Sequence, residues 1–221
     1  MNNFLNSSLG RKVVMALTGL FLCVFLIEHL YGNLLLYAND GGQAFVEYSH
    51  DAVHSILIRS IEVVLFIAIV LHVIQALMLT RQNAKARPIK YAVIKTNETS
   101  NWFSRNMGLT GSFILFFIVV HLVHFFGPYR ITGTVGGEGN MNVAEAVKEG
   151  MQNPYYAAFY FFSVCLLSFH LNHGVQSAFQ TLGLNNKKYT PIIKMAGTGF
   201  ALLVLVGFGS FPVAYYFHWI K

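Results

Sequence analysis

The chain alternates between long apolar runs and short polar connections. Five runs stand out, at positions 13–37, 56–80, 107–127, 154–182 and 192–217. Each is as long as the roughly 20 helical residues needed to cross the hydrocarbon of a bilayer. Only a helix satisfies its own backbone polar groups there, short of a closed barrel, and runs of this length are helical. The pattern therefore predicts an all-α integral membrane fold, a bundle of five transmembrane helices forming a single domain over 1–221. No long polar tail exists, so no separate soluble domain is expected. The first run is too long for a removable signal peptide, and no small-residue cleavage site follows it.

Composition agrees. Residues are 55% hydrophobic and 11% charged, and mean hydropathy is +0.52, whereas soluble domains carry about 25% charged residues. The net charge of +6 follows the topology and is not a nucleic-acid signal. Arg11, Lys12, Arg81, Lys85, Arg87, Lys90, Lys95, Arg105, Lys187 and Lys188 precede run one or lie in the connections between runs two and three and between four and five, and Lys194 stands at the start of run five beside the latter. Arg59, Arg130, Lys148 and Lys221 are the exceptions, while Asp40, Glu47, Asp51, Glu138, Glu145 and Glu149 populate the other connections. Cations accumulate on the cytoplasmic side, which places the N-terminus inside and the C-terminus outside. The sequon at Asn97 then faces the cytoplasm and carries no weight. Cys23 and Cys165 lie within runs and read as small core residues. No C-x-x-C-H occurs, so covalent c-type haem attachment is not expected.

Six of the nine histidines, His29, His72, His121, His124, His170 and His173, lie inside runs. A single one reads as a core residue bonded to a carbonyl or hydroxyl. Six across four helices are costly in hydrocarbon and point to function. Successive helices run in opposite directions, so counting from each helix start places His29 and His121 at one depth, nearer the outside. His72 and His170 fall at another, nearer the inside. The rise of 1.5 Å per residue separates the levels by very roughly 10–15 Å. Two histidines from different helices at one depth can hold a haem iron from both faces, and two such pairs stacked across the membrane make an electron path.

Gly19, Gly32, Gly108, Gly111 and Gly174 would allow a flat macrocycle close to the helices, although small residues also serve ordinary helix packing. His170 and His173 point about 60° apart. His170 has Gly174 one turn beyond on its own face and is the expected ligand. His121 is preferred over His124, which lies nearer the interface.

These residues resemble a known family, the dihaem cytochrome b membrane anchor of bacterial succinate dehydrogenases and fumarate reductases (succinate:quinone oxidoreductases), in its single-subunit five-helix form. The resemblance covers nearly the whole chain. EHLYGNLLLY at 28–37, LHVIQALMLTRQNAKAR at 71–87, VVHLVHF at 119–125 and FHLNHGVQSAFQTLG at 169–183 are similar to four successive helix motifs of that family. In the fourth, histidine is followed by glycine at +4 and +13, matched by His170, Gly174 and Gly183. The resemblance implies two haem b groups and a bacterial cytoplasmic-membrane location. It implies a flavoprotein subunit that interconverts succinate and fumarate, and an iron–sulfur subunit between it and the membrane. It also implies a quinone, usually menaquinone, near the outer haem. Some relatives carry a glutamate two residues before the fourth-helix ligand for proton passage; Ser168 stands there, which puts that route in doubt.

Quinone chemistry needs proton exchange, and a carboxylate at the outer level is the natural group. Glu62 and, in the outer connection, Glu47 are the candidates. Glu62 reads equally as a partner of Arg59 or a neighbour of a haem propionate. Glu28 is expected to bond a neighbouring helix. The basic stretch 81–105 reads as a lipid-facing loop and as a platform for the iron–sulfur subunit. His50 and His54 could bind a metal but lack further ligands nearby. A membrane di-iron oxygenase or desaturase is the main rival, since HLVH and HLNH superficially resemble its histidine boxes, which however cluster near the aqueous face. A histidine-relay transporter is a second rival, without the expected repeats or broken helices.

Overall fold

A computed structural model describes residues 7–85, 105–136 and 141–220. Among them every regular element is helical. Helix α1, Ser8–Leu34, starts behind the Ser7 side chain, which accepts from the Gly10 N–H at 3.0 Å, and continues as a 3₁₀ turn, Leu35–Tyr37. A short α2, Gln43–His54, precedes the long α3, Ile56–Lys85. Helix α4, Met107–His121, passes into a π-helical stretch, Leu122–Ile131, that contains Pro128. A second short helix, α5 (Val143–Gln152), is closed by a capping box between Asn142 and Glu145. The last two, α6 (Pro154–Thr181) and α7 (Thr190–Tyr216), both begin with proline in the first turn, where its missing N–H costs nothing.

The helices α1 with its turn, α3, α4 with its π-helical stretch, α6 and α7 are each long and apolar enough to cross a membrane, an architecture compatible with a multi-pass membrane protein. They are apolar on all sides, and large side chains such as Val24, Ile67, Val123 and Val206 stand exposed on their surfaces. That is expected where hydrocarbon, not water, is the solvent. The spans extend a few residues beyond the sequence-predicted ends: the first begins at Ser8, the second runs on to Lys85, and the third to Ile131.

The connections differ more. The segments 38–55 and 132–153 hold α2 and α5, which the apolar pattern reads as outer connections without structure. Both are amphipathic and pack across the same end of the bundle. Leu30, Leu36, Phe45, Val143, Met151, Tyr160, Phe211 and Tyr215 form one buried cluster there. Gly42, with φ of +87°, lets α2 start against α5; a Cβ on it would lie 2.6 Å from the Ala144 methyl. A second cluster, Leu171, Ala201 and Val204, joins α6 to α7. In the same helix pair the Ser168 hydroxyl donates to the Ala201 carbonyl at 2.8 Å. Cys23 and Cys165 are free and partly buried. Arg87, Lys90, Lys95, Asn97, Glu138 and Lys221 lie outside the described residues, as does most of the basic stretch 81–105.

Candidate functional site: two facing histidine pairs

Helix α1 brings His29, and α4 brings His121, to one level. Their ring centroids are 5.8 Å apart and the planes stand at 84°. Helices α3 and α6 bring His72 and His170 together at a second level, with centroids 6.5 Å apart and planes at 67°. These are the pairs that counting along the helices predicts.

Each pair has its own support. At the first level the Tyr160 hydroxyl of α6 lies 3.4 Å from His121 Nδ1. Phe25 stacks on His29 at 5.3 Å, Phe208 lies at 5.5 Å from it, and Phe117 and Phe125 flank His121. At the second level Thr18 Oγ1 lies 3.2 Å from His72 Nδ1. The Nδ1 of His170 is buried and has no hydrogen-bond partner. Such an atom costs about 1–3 kcal/mol when nothing meets it.

Glycines crowd the second pair. A Cβ on Gly19 would meet His72 Cε1 at 3.2 Å, and one on Gly111 would meet His170 Cε1 at 3.6 Å, whereas Gly174 has open space. Gly32 serves a different purpose from the one considered in the sequence: its missing side chain admits the Tyr48 ring of α2, 2.6 Å from an added Cβ. Gly108 faces Thr80 instead.

The pairs fit a haem iron. An ion held at about 2 Å by one nitrogen of each ring puts the opposed centroids roughly 6 Å apart, close to the two separations found. Among the described residues no three His, Cys, Asp or Glu side chains converge as a metal site. A haem needs only two protein ligands because the macrocycle supplies the other four.

His124 does not face His29. Its ring lies against Phe125 at 4.3 Å and Tyr156 at 4.5 Å, and Gly150 of α5 passes close beside it. His50 and His54 lie against each other on α2, with centroids 4.2 Å apart and planes tilted by 34°.

The carboxylates divide in the same way. Both oxygens of Glu62 accept from Arg59 Nη1 at 2.7 Å, with Arg130 Nε 3.9 Å away. Glu47 accepts from Gln43 at 2.7 Å on exposed α2. Glu28 accepts a hydrogen bond from the Tyr48 hydroxyl, so the neighbouring helix it reaches is α2. Burial, and then that bond, push the Tyr48 phenol above its ordinary value. Thr18, Tyr48 and Tyr160 are the contributors that sequence reasoning missed. Nothing along the chain shows which hydroxyl a neighbouring helix will turn toward a ring, although the Gly32 gap is a signal for Tyr48. No protein-family model, curated protein or solved structure matches the chain.

Proposed function

We propose that this chain is the dihaem cytochrome b anchor of a succinate:quinone oxidoreductase. The observation that carries the reading is the pairing itself: four helices deliver four histidines as two facing couples, His29 with His121 and His72 with His170. The sequence resemblance adds the partners. On this reading the flavoprotein and iron–sulfur subunits dock on the cytoplasmic side, near 81–105 and Asn185–Lys188, and the α2–α5 end faces outward.

Bound b haems supply reversible one-electron chemistry between those subunits and the quinone, which the resemblance gives as menaquinone. The chain's own residues do the rest. The histidines hold the irons. Thr18 and Tyr160 fix the tilt and tautomer of His72 and His121, the usual task of a second hydrogen bond on a ligand imidazole. Phe25, Phe117, Phe125 and Phe208 exclude water from the outer pair. For proton exchange with quinone, Glu47 is exposed at the outward end, while Glu62 must first release Arg59.

A reduced-minus-oxidised visible spectrum of the purified chain tests the reading. Sharp low-spin b-type bands with two haems per chain are expected, and a protein without such bands ends it. A di-iron oxygenase would instead need three or more convergent ligands, which the described residues do not present.

A further inference from the structure

Arg59 and Arg130 are two of the four cations that lie outside the basic segments of the sequence. They come together at the α2–α5 end, where α3 begins and the π-helical stretch of α4 finishes. Glu62 stands between them, bound to Arg59 at 2.7 Å and 3.9 Å from Arg130 Nε. Two guanidinium charges meet one carboxylate, which leaves a surplus of one positive charge. The surplus sits on Arg130. Its side chain is only 20% exposed, its Nε is buried without a hydrogen-bond partner, and it donates no hydrogen bond among the described residues. A guanidinium always carries its charge and presents five donors in a planar fork suited to an oxyanion. Leaving them unmatched in a mostly buried position is costly.

The surroundings favour one occupant. Arg59 is 44% exposed at the rim. Val63, Ile67 and Val70 follow it along one stripe of α3, each more than half exposed, and the Phe66–Phe126 contact closes α3 onto α4 beside them. A cation fork therefore stands above an apolar track. We propose that Arg130, with Arg59, binds the phosphate of an anionic phospholipid whose acyl chain lies along Val63, Ile67 and Val70. One phosphodiester charge matches the one surplus cation. A zwitterionic lipid brings its own ammonium and matches it less well.

The test is native mass spectrometry of the full chain in detergent with added phosphatidylglycerol or phosphatidylcholine. Wild type is expected to retain phosphatidylglycerol about fivefold better than Arg130→Gln, the ratio that about 1 kcal/mol per basic residue gives. Phosphatidylcholine retention should be equal in the two. Ile67→Trp, which leaves both arginines in place, should also retain phosphatidylglycerol poorly, because the acyl track is blocked; this variant keeps the test open if Arg130→Gln does not fold. Millimolar inorganic phosphate should not displace the lipid. Equal phosphatidylglycerol retention in all three proteins overturns the proposal, as does displacement by inorganic phosphate. So does a third outcome, loss of visible haem bands in Arg130→Gln with lipid retention unchanged, which would assign the fork to a cofactor carboxylate.

Discussion

His72 and His170 face each other across 6.5 Å between ring centroids, although 98 positions separate them in the chain. The contact joins α3 to α6, and glycines from α1 and α4 back both rings. The ring of His173 takes no part in it. Replacing His170 or His72 by Ala should remove one of two haems and spare the other, whereas His173→Ala should keep both. Haem content per chain, read by the pyridine haemochrome, decides this. Loss of a haem in His173→Ala with retention in His170→Ala would reverse the ligand assignment.

Thr18 reaches the same pair from α1. Thr18→Val keeps the side-chain shape and removes the hydroxyl beside His72 Nδ1. Haem affinity at that level should fall on the order of tenfold, the usual loss when a ligand imidazole loses its second partner. The iron should become easier to reduce, because the imidazole is a poorer donor. A redox titration should show one potential raised and the other unchanged; a shift of both, or of neither, would remove Thr18 from the site.

Gly19 and Gly32 make opposite predictions from the same kind of gap. At Gly19 a methyl meets the edge of His72 at 3.2 Å, so Gly19→Ala should be nearly tolerated and Gly19→Leu should expel the haem of that pair. At Gly32 a methyl meets the Tyr48 ring at 2.6 Å. Gly32→Ala should therefore keep both haems and detach α2, at the roughly 1–3 kcal/mol typical of overpacking. A lowered thermal midpoint with an unaltered spectrum is the expected signature.

Tyr48 also sets a pH limit. Its phenol is raised above the ordinary value near 10, first by burial and then by the bond to Glu28. The folded state thus favours the neutral phenol. Its contribution is complete below pH ~10, where the unfolded phenol ionises, and is lost as pH climbs through the higher folded value. Hydrogen exchange in α2 should accelerate above pH ~10 in the wild type. Tyr48→Phe should exchange faster at neutral pH and lack the alkaline step. An identical alkaline step in Tyr48→Phe would assign it to another group.

Much of this was legible in the sequence because the bilayer enforces it. Hydrocarbon leaves a spanning segment no choice but a closed hydrogen-bond ladder, so apolar length alone marks the five long helices, and a fixed rise per residue converts chain position into depth. The same arithmetic pairs His29 with His121 and His72 with His170. The short helices were not legible as apolar runs. Helices α2 and α5 are stabilised by what they cover, Phe45 and Met151 among others, and neither is apolar enough to announce itself; the capping pair Asn142 and Glu145 is the one local signal for α5. The π-helical run through Pro128 has no counterpart in periodicity at all. Glu62 was legible only in part: the sequence leaves proton exchange and an Arg59 partnership equally open, and the fold sets both its oxygens on Arg59.

Thr18 and His29 both belong to α1, and residue 29 follows residue 18 by about three turns. They therefore project from one face of one rod, at two depths. A rod that touches both sites cannot rotate at one of them alone. A few degrees of twist in α1, imposed where Tyr48 and Gly32 clamp its end against α2, would move the hydroxyl beside His72 as well as the ring of His29. The helix is in this sense a torsion bar: the two pairs share a mechanical element, and a disturbance of the cap has a direct path to the more distant of them.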